Sequence, residues 1–140
     1  MSEFIPTPER QKQILSLLTQ QGRLSVTEIV EQFSISEATA RRDLASLASA
    51  ELVADKETIF LGSGTTVLEV ARNLRDRKNL TVITNSLPVL NTLVGLKEIT
   101  VIALGGMLRD SELSFIGHIT EQSLAELRAD KVIIGAHAIS

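Results

Sequence analysis

The segment Ser36–Leu44, SEATARRDL, constrains the fold of this chain more than any other. A serine that can act as N-cap, followed by alanines and charged residues, predicts a helix that begins just after Ser36. At about 100° per residue, Ala40 and Leu44 fall on one stripe, which predicts a buried face. Arg42 lies nearly opposite this stripe, among small polar residues. A helix of this kind is suited to lie in the major groove of DNA.

Two further helices are predicted upstream of this segment. The stretch Arg10–Gln20 places apolar residues at helical spacing, and Gly22 follows where a helix-ending glycine belongs. Ser25 and Glu28 have the spacing of a capping box, which opens a second helix. Only two residues separate this second helix from the Ser36 cap. Helix, helix, tight turn and helix is the plan of a helix-turn-helix unit.

The sequence from Arg10 to Leu47 resembles the N-terminal DNA-binding unit, here called the reader, of the DeoR family of bacterial sugar-metabolism repressors. The pattern S-x-x-T-x-R-R-D-L is the specific part of the match. The alternative interpretation is a small helical interaction module. The resemblance implies double-stranded operator DNA as a partner, and for Asp43 we expect an ion pair or helix-internal contact with a neighbouring arginine. The expected DNA-contacting residues are Ser25, Ser36, Glu37, Thr39, Arg41, Arg42 and Ser46.

Composition sets the outer limits. A chain of 140 residues allows one ordinary domain or two small ones, and the absence of cysteine excludes disulfides and thiolate metal sites. We expect no cofactor, no metal and no catalytic residue. Met1–Thr7 does not have the composition of a basic, apolar-cored leader, and no apolar run is long enough to cross a bilayer, so we expect a cytoplasmic protein.

The charge balance predicts weak nonspecific affinity for DNA. The formal net charge is −3, and Met1–Val53 carries five Lys/Arg against seven Asp/Glu. Nonspecific affinity comes from neutralising phosphates, which an acidic reader does poorly. Clustered Arg41 and Arg42 can still supply a specific contact.

From Lys56 onward, apolar bursts alternate with stretches of helical spacing. The bursts are short and β-branched, as expected of strands covered on both faces: Thr58–Leu61, Leu80–Thr84, Ile99–Leu104 and Lys131–Gly135. The helical stretches are Thr66–Lys78, Leu87–Leu96 and Ile119–Ala129. The predicted fold class is α/β with an all-α N-terminal unit, in which a three-helix helix-turn-helix precedes a partial parallel, Rossmann-like sheet.

Polar residues collect where the predicted strands end. Gly62–Thr66, with the sequence GSGTT, follows the first strand and opens a helix, an arrangement that attracts anions. Alone it is a weak signal, because it lacks the lysine of a P-loop and one glycine of a dinucleotide fingerprint. The plainer interpretation is a strand-to-helix turn. Thr84–Ser86, Gly105-Gly106 and Gly135–His137 follow the other strands, at the usual binding edge of such a sheet.

The blocks IFLGSGTT, LTVITNS, VIALGGMLR and ADKVIIGAHAIS resemble the effector domain of the DeoR family, which is similar in fold to sugar-phosphate isomerases. The resemblance implies a phosphorylated sugar as effector. We expect a helix-turn-helix domain at residues 1–54 and a partial phosphosugar-sensing domain at 55–140. The residues implied for the phosphate are Ser63, Gly64, Thr65 and Thr66, and those implied for the rest of the pocket are Asn85, Gly105, Gly106 and Arg109.

Two departures from the family pattern accompany these matches. Members normally follow the recognition helix with a basic β-hairpin wing and a linker helix, whereas here Leu47–Lys56 leads almost directly into the first strand. Relatives also continue beyond the fourth strand, and His137-Ala138 stands where they show an acidic residue and a glycine. We therefore expect a shortened member with exposed apolar edges and faces, prone to form homo-oligomers or mixed oligomers with intact relatives.

The sequence is compatible with three classes of function. The resemblance implies a DNA-binding transcriptional regulator, a repressor of a carbohydrate-utilisation operon controlled by a phosphorylated sugar. A second possibility is a shortened partner that does not bind DNA and interferes with intact relatives. A third is a sugar-phosphate enzyme, whose acid–base candidates are His118, His137, Asp110 and Glu112, although none lies in a recognisable catalytic motif.

Overall fold

The computed structural model describes residues 6–134 and 137–139. Its helices are α1 (Thr7–Gln21), α2 (Val26–Phe33), α3 (Glu37–Leu47), α4 (Thr65–Asn73), α5 (Leu87–Leu93) and α6 (His118–Ala125), and α3 continues into a π-helical turn at Ala48–Leu52. Its strands are β1 (Arg23–Ser25), β2 (Thr58–Leu61), β3 (Leu80–Thr84), β4 (Ile99–Ala103), β5 (Met107–Arg109), β6 (Ser114–Ile116), β7 (Lys131–Ile134) and β8 (His137–Ile139). Three helices precede a strand–helix alternation, which confirms the expected fold class.

The three helices of the reader form where the sequence predicts them. Gly22 ends α1 in a left-handed conformation, and its N–H donates to the Leu18 carbonyl. Ser25 caps α2 and Ser36 caps α3, each accepting a hydrogen bond from a backbone N–H three residues on, at 3.1 Å. Nine buried apolar residues from all three helices and β1 make the reader's own core: Ile14, Leu18, Leu24, Val26, Ile29, Phe33, Ala40, Leu44 and Leu47.

The larger sheet has the strand order β1-β8-β7-β2-β3-β4, and the strands from β7 to β4 are parallel. Strands β2, β3 and β7 therefore have their carboxyl ends on the same side of the sheet, and α4 and α5 start there. The order agrees with the parallel sheet expected from the sequence. Gly135 and Ala136, which we expected at the end of the fourth strand, lie outside the described residues, as do Met1–Ile5 and Ser140.

The two faces of this sheet are covered unequally. Most of the core lies on one face, where side chains of the strands pack against α3, α4 and α5. On the other face the buried cluster contains Phe60, Ile83 and Leu104, with half-buried Ile102 and Val132 beside it. The thin cover of the second face fits the small number of crossover helices expected from the sequence.

Of the exposed edges expected from the sequence, the one at β7 is absent, whereas β4 has a neighbouring strand on one side only among the described residues. Strand β8 pairs with β7 in antiparallel register, and β1 of the reader pairs with β8, so Arg23 lies opposite Ile139. The chain turns back after β7, and the loop between α1 and α2 supplies the outermost strand. Backbone groups at this edge of β7 are thereby hydrogen-bonded.

The reader is packed directly onto the sensor unit. Ala45, Ala48 and Val53 belong to the same buried cluster as the strands and α4. The guanidinium of Arg77 donates to the carbonyl oxygens of Ser49 and of Val53, the latter at 2.6 Å, and so satisfies carbonyls at the end of the π-helical turn. The segment between α3 and β2 contains no β-hairpin, as the sequence predicted. At this point of the sequence the π-helical turn follows α3, and Ala48 and Val53 pack into the sensor core.

A short antiparallel hairpin, β5–β6, was not expected. It docks on the end of β3, because Phe115 N donates to the Asn85 carbonyl at 2.7 Å and Leu87 N donates to the Leu113 carbonyl at 2.9 Å. Its apolar side chains are largely exposed, Met107 by 72%. The low burial explains why no apolar alternation marked these strands in the sequence.

Candidate DNA-reading helix and effector loop

Helix α3 presents three faces with different surroundings. Ala40, Leu44 and Leu47 pack into the reader core. Ala45 and Ala48 pack against the sensor core. The remaining stripe, here called the groove stripe, carries Thr39, Arg42 and Ser46, of which Arg42 is exposed and the other two are half-buried.

The other residues expected to contact DNA are engaged in local structure. Ser25 is buried, accepts from Glu28 N and donates to Glu28 Oε1 at 3.1 Å. The Ser36 hydroxyl is exposed and donates to Thr39 Oγ1 at 2.9 Å. Glu37 and Arg41 form an ion pair of 2.5 Å along the helix. Of the predicted set, only Ser25 is buried; Arg42, Ser36 and Glu37 are exposed, and Arg41 is half-buried like Thr39 and Ser46.

Asp43 forms an ion pair, as expected, but its partner is Arg10 of α1 rather than the adjacent arginines. The Arg10 Nε donates to Asp43 Oδ2, and Nη2 donates to Asp43 Oδ1 at 3.2 Å and to Thr7 Oγ1 at 3.1 Å. Arg10 is 6% exposed and Asp43 4%. The hydrogen bond and charge of Asp43 raise the pKa of Arg10 above its ordinary value, against the lowering effect of burial. This bridge fixes α3 against α1.

The loop between β2 and α4 is open at its centre. Gly64 is the N-cap of α4 and has φ 114°, a conformation that side-chain-bearing residues rarely adopt. A Cβ at Gly64 would meet no atom within 4 Å, so the space beside the helix N-terminus is free among the described residues. Ser63 is half-buried, Thr65 is exposed and Thr66 is buried. Free N–H groups at such a helix start favour an anion.

This loop lines a cavity of about 310 Å³ between the reader and the sensor, here called the junction cavity. Ser63, Gly64, Thr65 and Thr66 form one wall of the cavity, so the four residues expected to bind phosphate are brought together. Val26, Glu37, Arg41 and Glu112 also line the cavity. An adjoining cavity of about 250 Å³ shares Gly64, Thr65 and Glu112 and extends to Ser86 and Ser111.

The other four residues expected in the effector pocket line neither cavity. Asn85 Nδ2 donates to the Phe115 carbonyl at 2.9 Å, and its buried Oδ1 has no hydrogen-bond partner among the described residues. Arg109 is exposed on β5. Gly105 and Gly106 follow β4, and the Gly105 carbonyl accepts from Thr120 Oγ1 at 2.7 Å.

The two adjacent glycines differ in what surrounds them. A Cβ at Gly106 would lie 2.2 Å from Thr120 Oγ1 and 2.7 Å from the Ile116 carbonyl oxygen, and the residue has φ 152°. A Cβ at Gly105 would meet nothing within 4 Å. Close packing of the hairpin therefore explains Gly106, whereas Gly105 has room for a neighbouring group.

Gly106→Ala is expected to lower the free energy of unfolding by about 2 kcal/mol, because the methyl group overlaps backbone and a hydrogen-bonded hydroxyl. Gly105→Ala, one residue away, should change it by less than about 0.5 kcal/mol. Urea unfolding followed by circular dichroism measures both. Equal losses in the two variants would contradict this assignment of Gly106.

Glu112 is the cavity residue whose place the sequence did not indicate. The sequence suggested Glu112 only as an acid–base candidate. In the structure Ser63 Oγ donates to Glu112 Oε2 over 3.4 Å, which places a carboxylate at the effector loop. The two residues are 49 positions apart, so no local pattern marks the contact.

Comparison with known proteins assigns both units. The profile of the DeoR-like helix-turn-helix domain matches residues 10–55, and that of the DeoR C-terminal sensor domain matches residues 36–140. Both matches include α3 and the π-helical turn, the segment that packs into both cores. Along the described part of the chain, no helix is long and apolar enough to span a membrane.

Several relatives are transcriptional repressors. The transcriptional repressor AccR of Agrobacterium fabrum is 30% identical, over 97% of this chain and 69% of its own length. A lactose phosphotransferase system repressor of Staphylococcus epidermidis is 30% identical, over 94% of this chain and 69% of its own length. The glycerol-3-phosphate regulon repressor of Escherichia coli is also 30% identical, over 94% of this chain and 68% of its own length. The alignment with AccR spans 177 positions against 140 residues here, so part of that relative has no counterpart in this chain. Matched by both domain profiles and by these repressors, the chain belongs to the DeoR family of DNA-binding transcriptional regulators.

Proposed function

We propose that this protein represses a carbohydrate-utilisation operon and that a phosphorylated sugar, bound at Ser63–Thr66, controls its hold on the operator. The observation that carries the proposal is that the groove stripe of α3 is open to solvent while the same helix is packed into the sensor unit. One rigid element thus joins the surface suited to DNA with the surface suited to an effector. A regulator of this kind acts in the cytoplasm, where the operator DNA lies.

The names of the relatives support a carbohydrate-utilisation operon as the target of repression. Two of them are named as repressors of a lactose phosphotransferase system and of a glycerol-3-phosphate regulon. The first name refers to a sugar and the second to a phosphate monoester. The free helix N-terminus at Gly64 and the adjacent hydroxyls of Ser63, Thr65 and Thr66 are the groups that would bind a phosphate monoester here.

A regulatory role is preferred to catalysis because of the family. Asp110 and Glu112 are exposed in the turn of the β5–β6 hairpin, and His118 is exposed at the start of α6. Glu112 contacts Ser63 rather than a second acid–base group. The alternative of an interfering partner that does not bind DNA is a possible outcome of the DNA-binding test described in the Discussion.

Association into homo-oligomers or mixed oligomers remains part of the proposal. Exposed apolar side chains lie on the hairpin and on α6, including Met107 and Ile119, which is 65% exposed. Surfaces of this kind favour association. Paired readers would then bind the two half-sites of an operator.

The loop is tested by thermal unfolding with a panel of sugar phosphates. A ligand that binds the native state alone raises the melting temperature as its concentration passes the dissociation constant. We expect at least one phosphorylated sugar to do so, and Thr65→Val, which removes a hydroxyl from the cavity wall, to lessen the shift. The unphosphorylated sugar is the matched control. No shift with any phosphorylated sugar, or equal shifts in parent and variant, would leave the loop as a structural turn.

Glu112→Gln is expected to increase affinity for the phosphorylated sugar severalfold. Its carboxylate lies beside Ser63 and repels a dianion, and the effect is limited because the side chain is exposed to solvent. Asp110→Gln, in the same turn, is the control for net charge. Unchanged or weaker binding by Glu112→Gln would show that the carboxylate does not compete with the ligand.

A further inference from the structure

The face of α3 that packs on the sensor continues into the junction cavity. Ala45 and Ala48 of this face are buried in the sensor core. One and two turns towards the start of the helix, Arg41 and Glu37 lie on the same face and line the cavity. A side chain of the recognition helix therefore shares a cavity with the effector loop.

Arg41 is the cationic side chain of this cavity wall among the described residues. Its guanidinium is 31% exposed, and Nη1 lies 2.5 Å from Glu37 Oε1, whose side chain is 69% exposed. Ion pairs of this type, four residues apart and open to water, stabilise a helix only weakly. The pair can therefore be exchanged for a better anion at little cost.

One anionic side chain, that of Glu112, already lines the cavity. Glu112 reaches from the hairpin to the Ser63 hydroxyl, although 49 positions separate them. Ser63 belongs to the same wall as Gly64, whose side of the helix N-terminus is open. The Ser63 hydroxyl can therefore donate to an anionic oxygen at this position.

We propose that a phosphate group bound at Ser63–Thr66 is also bound by Arg41, which exchanges Glu37 for the ligand. The proposal rests on the effector site proposed above and adds a residue of the DNA-reading helix to it. The hydrogen bond from a guanidinium to a phosphate is charge-assisted, and it is stronger than an exposed ion pair within one helix. The effector would thereby place a dianion one residue from Arg42.

This arrangement gives a direct route from effector to operator. DNA phosphates approach the groove stripe, and a bound dianion beside Arg41 lowers the local positive charge that they meet. Effector and DNA then oppose each other's binding, and the coupling is equal in both directions. No movement of one unit relative to the other is required, because α3 is packed into both.

The experiment is a ³¹P NMR titration of inorganic phosphate with the full chain at constant ionic strength. Arg41→Gln is expected to weaken phosphate binding about fivefold or more, and Arg41→Lys to restore part of the loss. Arg42→Gln removes the same charge from the adjacent position on the groove stripe and should change binding by less than about twofold. Glu37→Gln releases Arg41 from its partner and should tighten binding.

The possible outcomes separate this inference from the effector site itself. If the parent chain binds no phosphate, the effector site fails and the inference fails with it. If the parent binds and Arg41→Gln binds equally well, the loop site stands and the role of Arg41 is overturned. Circular dichroism confirms the fold of each variant, and equal losses in Arg41→Gln and Arg42→Gln would also overturn the inference, because a general charge effect would then explain both.

Discussion

Asp43→Ala is expected to lower the free energy of unfolding by about 3 kcal/mol. The substitution leaves the buried guanidinium of Arg10 without its anionic partner, and breaking a buried pair from one side is among the costliest single changes. Domains of this size are stable by only about 5–15 kcal/mol, so the loss is a large share of the total. Urea unfolding followed by circular dichroism at 222 nm measures it.

Two controls isolate the cause of this loss. Glu69→Ala breaks the exposed ion pair with Arg72 on α4 and should cost less than about 1 kcal/mol. The double variant Arg10→Met, Asp43→Leu replaces the buried pair with apolar groups and should recover most of the stability. If the free energy of unfolding of Asp43→Ala lies within about 1 kcal/mol of that of the parent, the bridge does not hold α3 against α1.

The bridge has a defined dependence on pH. The pKa of Arg10 is raised on folding, so its charged form stabilises the fold fully below the unfolded pKa of arginine. The contribution is lost only as the pH rises through the raised value, in strongly alkaline solution. The contribution of Arg10 to the stability of the fold is therefore constant through the neutral pH range.

The elements that sequence could predict are those fixed by local interactions. The caps at Ser25 and Ser36 lie three residues from the N–H groups they bind, and the four parallel strands are short β-branched runs. The expected helices were three to five residues too long at their C-terminal ends, because α4 stops at Asn73, α5 at Leu93 and α6 at Ala125. Apolar periodicity continues past these points, whereas helical hydrogen bonding does not.

The features that sequence could not predict depend on distant pairing. Strand β1 has three residues and exists because β8 lies beside it, and the Asp43 bridge joins positions 33 apart. The sequence marked an acidic residue beside arginines, so the nearer arginines were the natural partners to expect. Burial against α1 decided the pairing instead.

Of the candidate site, only the loop Ser63–Thr66 could be predicted from the sequence. Ser63–Thr66 share one cavity wall because they are consecutive at a strand end, the place where such sheets bind ligands. The other lining residues come from α2, α3 and the β5–β6 hairpin, which only tertiary packing brings to this loop. The predicted boundary at residues 54 and 55 remains a prediction, and Ala45, Ala48 and Val53 pack with the sensor.

Arg42→Ala is expected to abolish sequence-specific DNA binding, a loss of about 1–3 kcal/mol in discrimination. Arg42 is exposed on the groove stripe between half-buried Thr39 and Ser46. Hydrogen bonds from an arginine side chain to a guanine base are the commonest specific contact in the major groove. The acidic reader supplies little nonspecific affinity to compensate. The operator is first selected from a random duplex pool by the parent chain, and gel-shift titrations follow at fixed salt.

The control is Arg75→Ala, which removes the same charge from an exposed position after α4, outside α3. It should keep the sequence preference and lower affinity slightly, whereas Arg42→Ala should bind selected and random duplexes alike. If Arg42→Ala binds the selected duplex as tightly as the parent, the groove stripe is not the reading surface. If the parent selects no sequence at all, the interfering-partner hypothesis gains over repression, since an α3 held against the sensor would then be unable to enter the groove.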